Sequence, residues 1–308
     1  MLQNFIVVGT QVGILFLLIG TGFFAGNVNI LKKEGIGVIN DVMLLIVTPC
    51  VIIEAFQRDF NAQMFKNLML SILAAVISHM ICFLLGFLLI HNKDEARQRV
   101  MRFAAIFCNC GFMALPLLEA LYGMEGVFYG AGYLAIFNLL VWSVGQFMIA
   151  KGQADFDVKK AILNPGVISV IIGFIFFVTS FKLPTLILSP ISYLADLNTP
   201  LPMLIIGYTI STLDLKGIFR IKEEIMTLCI RLIIGPLILL AVLYLLGYRG
   251  VLLCSAIVSS STPVAAISTM FSIKYGVDEK LAAKLVAVST LFSIVTMTLI
   301  VGFAEYIA

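Results

Sequence analysis

The sequence predicts an all-α integral membrane protein of ten transmembrane helices, arranged as two inverted five-helix repeats whose fourth and ninth helices are broken. Three observations carry that expectation: a composition far more apolar than a water-soluble domain, two spans interrupted by polar residues and proline, and motifs that recur about 150 residues apart.

Of the 308 residues, 61% are hydrophobic and 12% charged, and the mean hydropathy is +1.10. A soluble domain is roughly half apolar and a quarter charged, so this chain belongs in a lipid bilayer. The net charge of +3 is spread over short loops without a basic run, which excludes a nucleic-acid partner. Cys50, Cys82, Cys108, Cys110, Cys229 and Cys254 sit in apolar stretches without C-x-x-C spacing. They read as small packing residues, and neither a metal nor another cofactor is expected. The opening MLQNFIVVGTQVG lacks a positive leader region and is taken as a retained first span.

At roughly 20 apolar residues per crossing, the spans run 4–25, 36–56, 64–91, 99–121, 126–150, 164–181, 188–211, 224–247, 250–274 and 279–306. The first repeat covers 1–150, a polar linker 151–165 and the second repeat 166–308. Lysine and arginine favour one side: Lys32 and Lys33; Lys93, Arg97, Arg99 and Arg102; Lys151, Lys159 and Lys160; Lys216, Arg220 and Lys222; Lys274 and Lys280. The other side carries Arg58, Lys66, Lys182 and Arg249. The richer side is expected to be cytoplasmic, which puts both termini outside a cell membrane, the bacterial plasma membrane being the expected one.

The repeats are visible in short matches. Ile19-Gly20-Thr21-Gly22-Phe23-Phe24 returns as Ile172-Gly173-Phe174-Ile175-Phe176-Phe177, and Tyr122-Gly123 as Tyr275-Gly276, both displaced by 153. Thr48-Pro49 returns as Thr199-Pro200, displaced by 151, and Pro116 as Pro263, displaced by 147. Five spans per repeat is an odd number, so the second copy enters the membrane from the opposite face, as in many secondary transporters.

The two interrupted spans are FAAIFCNCGFMALPLLEALYG, around Asn109, Cys110, Gly111 and Pro116, and VLLCSAIVSSSTPVAAISTMFSIKYG, around Ser260, Ser261, Thr262 and Pro263. A proline removes a backbone donor and crowds the carbonyl four residues back, so each helix is expected to break near its proline. Each break leaves free N–H groups where the second half begins. Two such positive ends meeting near the midplane make a seat for an anion. Asn138, in the span after the first break, is a further contact candidate. Thr48, Pro49, Asp196, Thr199 and Arg231 are expected to support the site, Arg231 and Asp196 through an internal ion pair with the arginine's partner left open. Glu54, His79, Glu119 and Lys284 read as residues of span ends. Enzyme motifs such as H-E-x-x-H or G-x-S-x-G are missing from the sequence, so no catalysis is expected.

Phe107-x-Asn109-x-Gly111-Phe112-x-x-x-Pro116, Asn164-Pro165, Arg231 ahead of Pro236, and Tyr275-Gly276-x-Asp278 followed by Ser289-Thr290-x-x-Ser293 together resemble the auxin efflux carrier family. That family includes bacterial malate and malonate permeases and plant auxin exporters. The resemblance implies helices 4 and 9 crossing at their prolines, a scaffold against which a transport unit moves, and homodimers. Related bile acid symporters bind sodium near such a crossing. Here the ninth span offers hydroxyls without a glutamate, which favours proton over sodium coupling. The expected function is alternating-access transport of a small organic anion, a carboxylate such as malate or an auxin-like acid. The alternatives are a sodium- or proton-coupled symporter of another solute, a membrane sensor that keeps the transport fold, and a channel.

Overall fold

The computed structural model describes residues 2–151, 163–212 and 222–308. Most of the predicted linker and the loop holding Lys216 and Arg220 lie outside the described residues. The described chain is helical, and its only extended pairing is a single bridge between Cys108 and Val264.

The helices are α1 (Leu2–Asn27), α2 (Lys33–Ala55), α3 (Ala62–Leu89), α4 (Glu95–Ile106), α5 (Cys110–Ala150) and α6 (Pro165–Thr179). They continue as α7 (Thr185–Ala195), α8 (Pro200–Ser211), α9 (Lys222–Leu245), α10 (Gly250–Ser261), α11 (Ile267–Lys274) and α12 (Glu279–Ile307). Among the described residues, α1, α2, α3, α5, α9 and α12 are long and apolar enough to cross a membrane, while α6 and α10 are shorter apolar helices.

Local sequence sets the boundaries. The side chains of Asn61, Asp94, Asn164 and Asp278 accept hydrogen bonds from backbone N–H groups that open α3, α4, α6 and α12, satisfying donors that a helix start leaves free. Within α5 the helix reverses at Gly123, where φ is 59°, a conformation that favours glycine. The two arms then pack together so closely that a Cβ on Gly130 would lie 2.5 Å from the Leu118 side chain. Gly276, the partner of Gly123 in the sequence repeat, also has positive φ, at 60°.

Three prolines follow a widened π-helical turn by two residues: Pro49 after Met43–Val47, Pro116 after Cys110–Ala114 and Pro236 after Ile230–Ile234. The carbonyl that each ring would strike lies inside the widened turn, which relieves the clash without ending the helix. This corrects one sequence expectation, because Pro116 lies inside a continuous helix and breaks nothing. The first break is Phe107–Asn109, seven residues before Pro116 at its asparagine end. The second does contain Pro263, between α10 and α11.

Helix α1 lies along α8, and α2 packs on α6 and α7. The broken elements α4 and α10 are gathered among α3, α9 and α12. At the α1–α8 contact small residues let the backbones touch, as membrane helices require. A Cβ on Gly22 would lie 2.5 Å from the Leu204 carbonyl, and one on Gly207 would land on the backbone of Ile19 and Phe23. A Gly207→Val change is expected to cost at least about 1–3 kcal/mol through overpacking. Thermal unfolding in detergent checks this against Gly13→Ala, where the added methyl meets nothing within 4 Å.

Among the described lysines and arginines of the predicted cytoplasmic side, Arg97 and Lys151 are held by ion pairs. Arg97 bonds Glu224 at 2.8 Å and Asp278 at 3.0 Å, and Lys284 bonds Glu224 at 2.6 Å. Lys284, expected to be an end residue, therefore joins the buried Glu224 in a network between the starts of α4, α9 and α12. Lys151 pairs with Glu95 at the start of α4.

Candidate functional site

The two breaks meet. Asn109 N donates to Pro263 O at 2.8 Å, and Ala265 N donates to Phe107 O at 3.0 Å, so the interrupted segments pair as an antiparallel bridge. Ser289 Oγ, from α12, accepts from Val264 N at 3.0 Å. Backbone groups released by the breaks thus find partners inside the protein, which lipid cannot supply.

The carbonyl ends of both first halves are held by one side chain. Arg231, 1% exposed, sits on the widened turn of α9. Its Nη1 donates to Ala105 O at 3.3 Å and Ile106 O at 3.0 Å at the end of α4. Its Nη2 donates to Ser260 O at the end of α10. Helix C-termini carry partial negative charge and unpaired acceptors, so these carbonyls take the place of the carboxylate partner left open in the sequence reading.

The opposite ends of the breaks, where α5 and α11 begin, face a cavity of about 60 Å³. Asn109, Gly111 and Phe112 line it from the first break, and Ala265, Ala266 and Ile267 from the second. Leu44 and Thr48 of α2 and Leu134, Phe137, Asn138 and Trp142 of α5 form the walls. Asn164 and Gly166, where α6 begins, complete them. Asn164 Oδ1 accepts from Gly166 N at 2.9 Å, and a Cβ on Gly166 would lie 2.6 Å from Asn138 Nδ2, so only glycine lets that amide sit so close.

Two polar atoms at this cavity have no protein partner: Asn109 Nδ2 and Thr48 Oγ1, each on a residue only 5% exposed. Buried polar groups are nearly always hydrogen-bonded, so an unpaired amide and an unpaired hydroxyl at a cavity between two helix starts make it the candidate site.

Of the predicted contacts, Asn109, Gly111 and Asn138 line this cavity, and so does Thr48, expected only as support. Cys110 and Pro116 are buried beside it without lining it. Ser260, Ser261 and Thr262 also lie off it: the Ser260 hydroxyl donates to Ile257 O at 3.1 Å and that of Thr262 to Ser259 O at 2.9 Å. They close the α10 end on the Arg231 side, and the cavity side belongs to the alanines beyond Pro263. Pro263 contributes its carbonyl to the bridge. Pro49 shapes the turn after Thr48, while Asp196 and Thr199 flank the short turn between α7 and α8. His79, expected near a span end, is 2% exposed with its ring 5.6 Å from that of Tyr133. Glu54 accepts from Ser192 Oγ at 2.5 Å. The lining residues missed in sequence include Asn164 and Gly166 and the large apolar Leu44, Leu134, Trp142 and Ile267, the last four because one more large apolar side chain in such a chain carries no signal.

A second cavity of about 550 Å³ opens between α2 and α8 on one side and α11 and α12 on the other. Lys33 and Lys280 stand at its charged end, and Ala266 lines both cavities. Toward the opposite face, Phe56, Phe128 and Phe177 pack with inclined rings, centroids 4.7 Å apart at 59° for Phe56–Phe128 and 5.0 Å apart at 61° for Phe128–Phe177.

The sequence model of the family described as "Membrane transport protein" matches residues 7–301. An uncharacterized transporter of Methanocaldococcus jannaschii is 26% identical over 297 residues, 93% of this chain and 95% of the relative. A putative malonate transporter of Rhizobium meliloti is 22% identical over 296 residues, 92% and 91% of the two chains. A probable auxin efflux carrier component 1c of Oryza sativa is 29% identical over 123 residues, 39% of this chain and 21% of that one. With a helical membrane fold and a family match over nearly its whole length, the chain belongs to the membrane transport proteins of the auxin efflux carrier family.

Proposed function

We propose that this protein is a secondary transporter of a small organic carboxylate and that the carboxylate binds in the cavity at the crossed breaks. The observation that carries the reading is the pair of unsatisfied donors, Asn109 Nδ2 and Thr48 Oγ1, beside the N-terminal ends of α5 and α11. A carboxylate accepts several such bonds, and charge-assisted bonds are the stronger kind. No formal cation is needed, because helix starts already favour an anion.

The helices read as ten spans, with α4 and the first arm of α5 as the fourth, α7 and α8 as the seventh, and α10 and α11 as the ninth. The inverted repeat is supported by two first halves of equal length, 12 residues each in α4 and α10, and by the matched turns at Gly123 and Gly276. In this reading α1, α2, α6, α7 and α8 form the scaffold, and the crossing elements move against it. The larger cavity makes this the state open to the lysine-rich face, read as cytoplasmic, with the three phenylalanines closing the other side. Both termini then lie outside.

Moving one net negative charge outward is favoured by about 2.3 kcal/mol at 100 mV, interior negative, so export needs no cation, whereas uptake calls for proton coupling. Flux of radiolabelled malate, malonate and indole-3-acetate into proteoliposomes, with and without an imposed potential, tests the reading. Saturable flux of at least one carboxylate that responds to the potential is expected. Indifference to all carboxylates, beside a working control transporter, contradicts it.

A further inference from the structure

We infer, building on the carboxylate reading of the crossover site, that the larger cavity is a first station for the anion, where Lys33 and Lys280 capture it on its way to the breaks. Three charged residues line this cavity of about 550 Å³: Lys33 in the first turn of α2, and Glu279 and Lys280 in the first turn of α12. Arg97, Lys151, Lys182 and Lys284 each have a carboxylate of the protein beside them. Among the described residues Lys33 and Lys280 have none, so their charge is left for an anion in the cavity.

The station is joined to the crossover site by two helix stripes. On α2, Lys33, Ile36, Gly37 and Asn40 line the larger cavity, and Leu44 and Thr48 line the smaller one. Steps of three or four residues keep them on one side of the helix. Across the cavity, Ala266, Thr269, Met270 and Ile273 of α11 follow the same spacing, and Ala266 lines both cavities. Thr269 Oγ1 is buried there without a hydrogen-bond partner. An anion entering at the lysines therefore meets a free hydroxyl part-way, then the Asn109 amide and the Thr48 hydroxyl. Apolar walls such as Ile205, Ile206 and Val286 are of low dielectric and focus the field of the lysines along this path. Ammonium groups act as point charges, so the station selects for negative charge and the crossover site for the rest of the molecule.

The test is the initial uptake of radiolabelled malonate, L-malate and indole-3-acetate into proteoliposomes, well below saturation. It is run at about 10 mM and about 0.1 M salt, between which the screening length falls from about 30 Å to about 10 Å. For each anion that is carried, the wild-type rate is expected to fall at least about threefold at the higher salt, as steering by a charged cleft does. In Lys33→Gln/Lys280→Gln the low-salt rate should drop to near the wild-type high-salt rate and lose its response to salt, while Lys33→Arg/Lys280→Arg keeps both. Glu279→Gln is expected to raise the low-salt rate, a gain that damage to the fold does not give. Lys274 does not line the cavity, and Lys274→Gln is expected to behave as wild type. A wild-type rate and salt response in the double glutamine variant, no gain in Glu279→Gln, or a loss in Lys274→Gln as large as the double variant's overturns the inference and leaves the carboxylate reading standing. Failure of all three carboxylates to move removes both.

Discussion

Replacing Arg231 by methionine is expected to give a protein that folds poorly or unfolds at a much lower temperature, although no carboxylate loses a partner. The guanidinium holds Ala105 O, Ile106 O and Ser260 O, the carbonyl ends of two helices that stop inside the protein. Methionine fills similar space but donates nothing, and each buried carbonyl left unpaired costs about 1–3 kcal/mol. Three of them amount to at least about 3 kcal/mol, before the loss of a positive charge between two negative helix ends is added. Lysine keeps the charge as a point but not the planar fork that reaches both helices at once, so Arg231→Lys should fall between wild type and methionine. Thermal unfolding of the detergent-purified proteins checks the order. A methionine variant as stable as wild type would mean that the crossing does not depend on this clamp.

The second large effect is functional. The Asn109 backbone makes the bridge to Pro263 while its side-chain nitrogen is unpartnered, so a change of side chain leaves the crossing intact. Asn109→Ala removes a hydrogen bond to a charged ligand, worth about 1.5–3 kcal/mol, or roughly 10- to 150-fold in apparent affinity. Asn109→Asp keeps the shape and replaces the donor by a carboxylate, and two like charges in a water-poor site repel. Flux of the preferred carboxylate should be undetectable in Asn109→Asp and weak but measurable in Asn109→Ala. Unfolding temperatures close to wild type would show that the fold is spared. If Asn109→Asp transports normally, the amide does not face the substrate.

Much of the architecture could be read in the sequence because membrane helices announce themselves by length and hydropathy. The predicted boundary at 121–126 fell where Gly123 turns the chain, since a glycine between two apolar runs is a local signal. The first break was misplaced because proline was read as the breaker. A widened turn absorbs Pro116, and the chain opens instead at Phe107–Asn109, where pairing with Pro263 and Ala265 compensates the lost helical bonds. No local rule foresees that pairing, which depends on a segment about 155 residues away.

The site was half legible for a similar reason. Asn109, Gly111, Asn138 and Thr48 stood out as polar or small residues in apolar surroundings, and they line the cavity. The serines of α10 stood out equally and do not line it: the Ser260 hydroxyl bonds a carbonyl three residues back on its own helix, and that of Ser261 is buried away from the cavity. Sequence shows that a serine is present but not which way its oxygen turns. Arg231 was recognised as important, but its partners are backbone carbonyls at two helix ends, which have no side-chain signature.

The most direct test of the anion seat is the distance between substrate and protein. Solid-state NMR of the reconstituted protein, with the substrate labelled by 13C at its carboxylate and asparagine side chains by 15N, measures it. A carboxylate carbon within about 4 Å of one amide nitrogen is expected, as a hydrogen bond requires, with the signal lost in Asn109→Ala. A bound substrate whose carboxylate shows no such coupling, or one whose coupling survives in Asn109→Ala, would place the anion somewhere other than the crossed breaks.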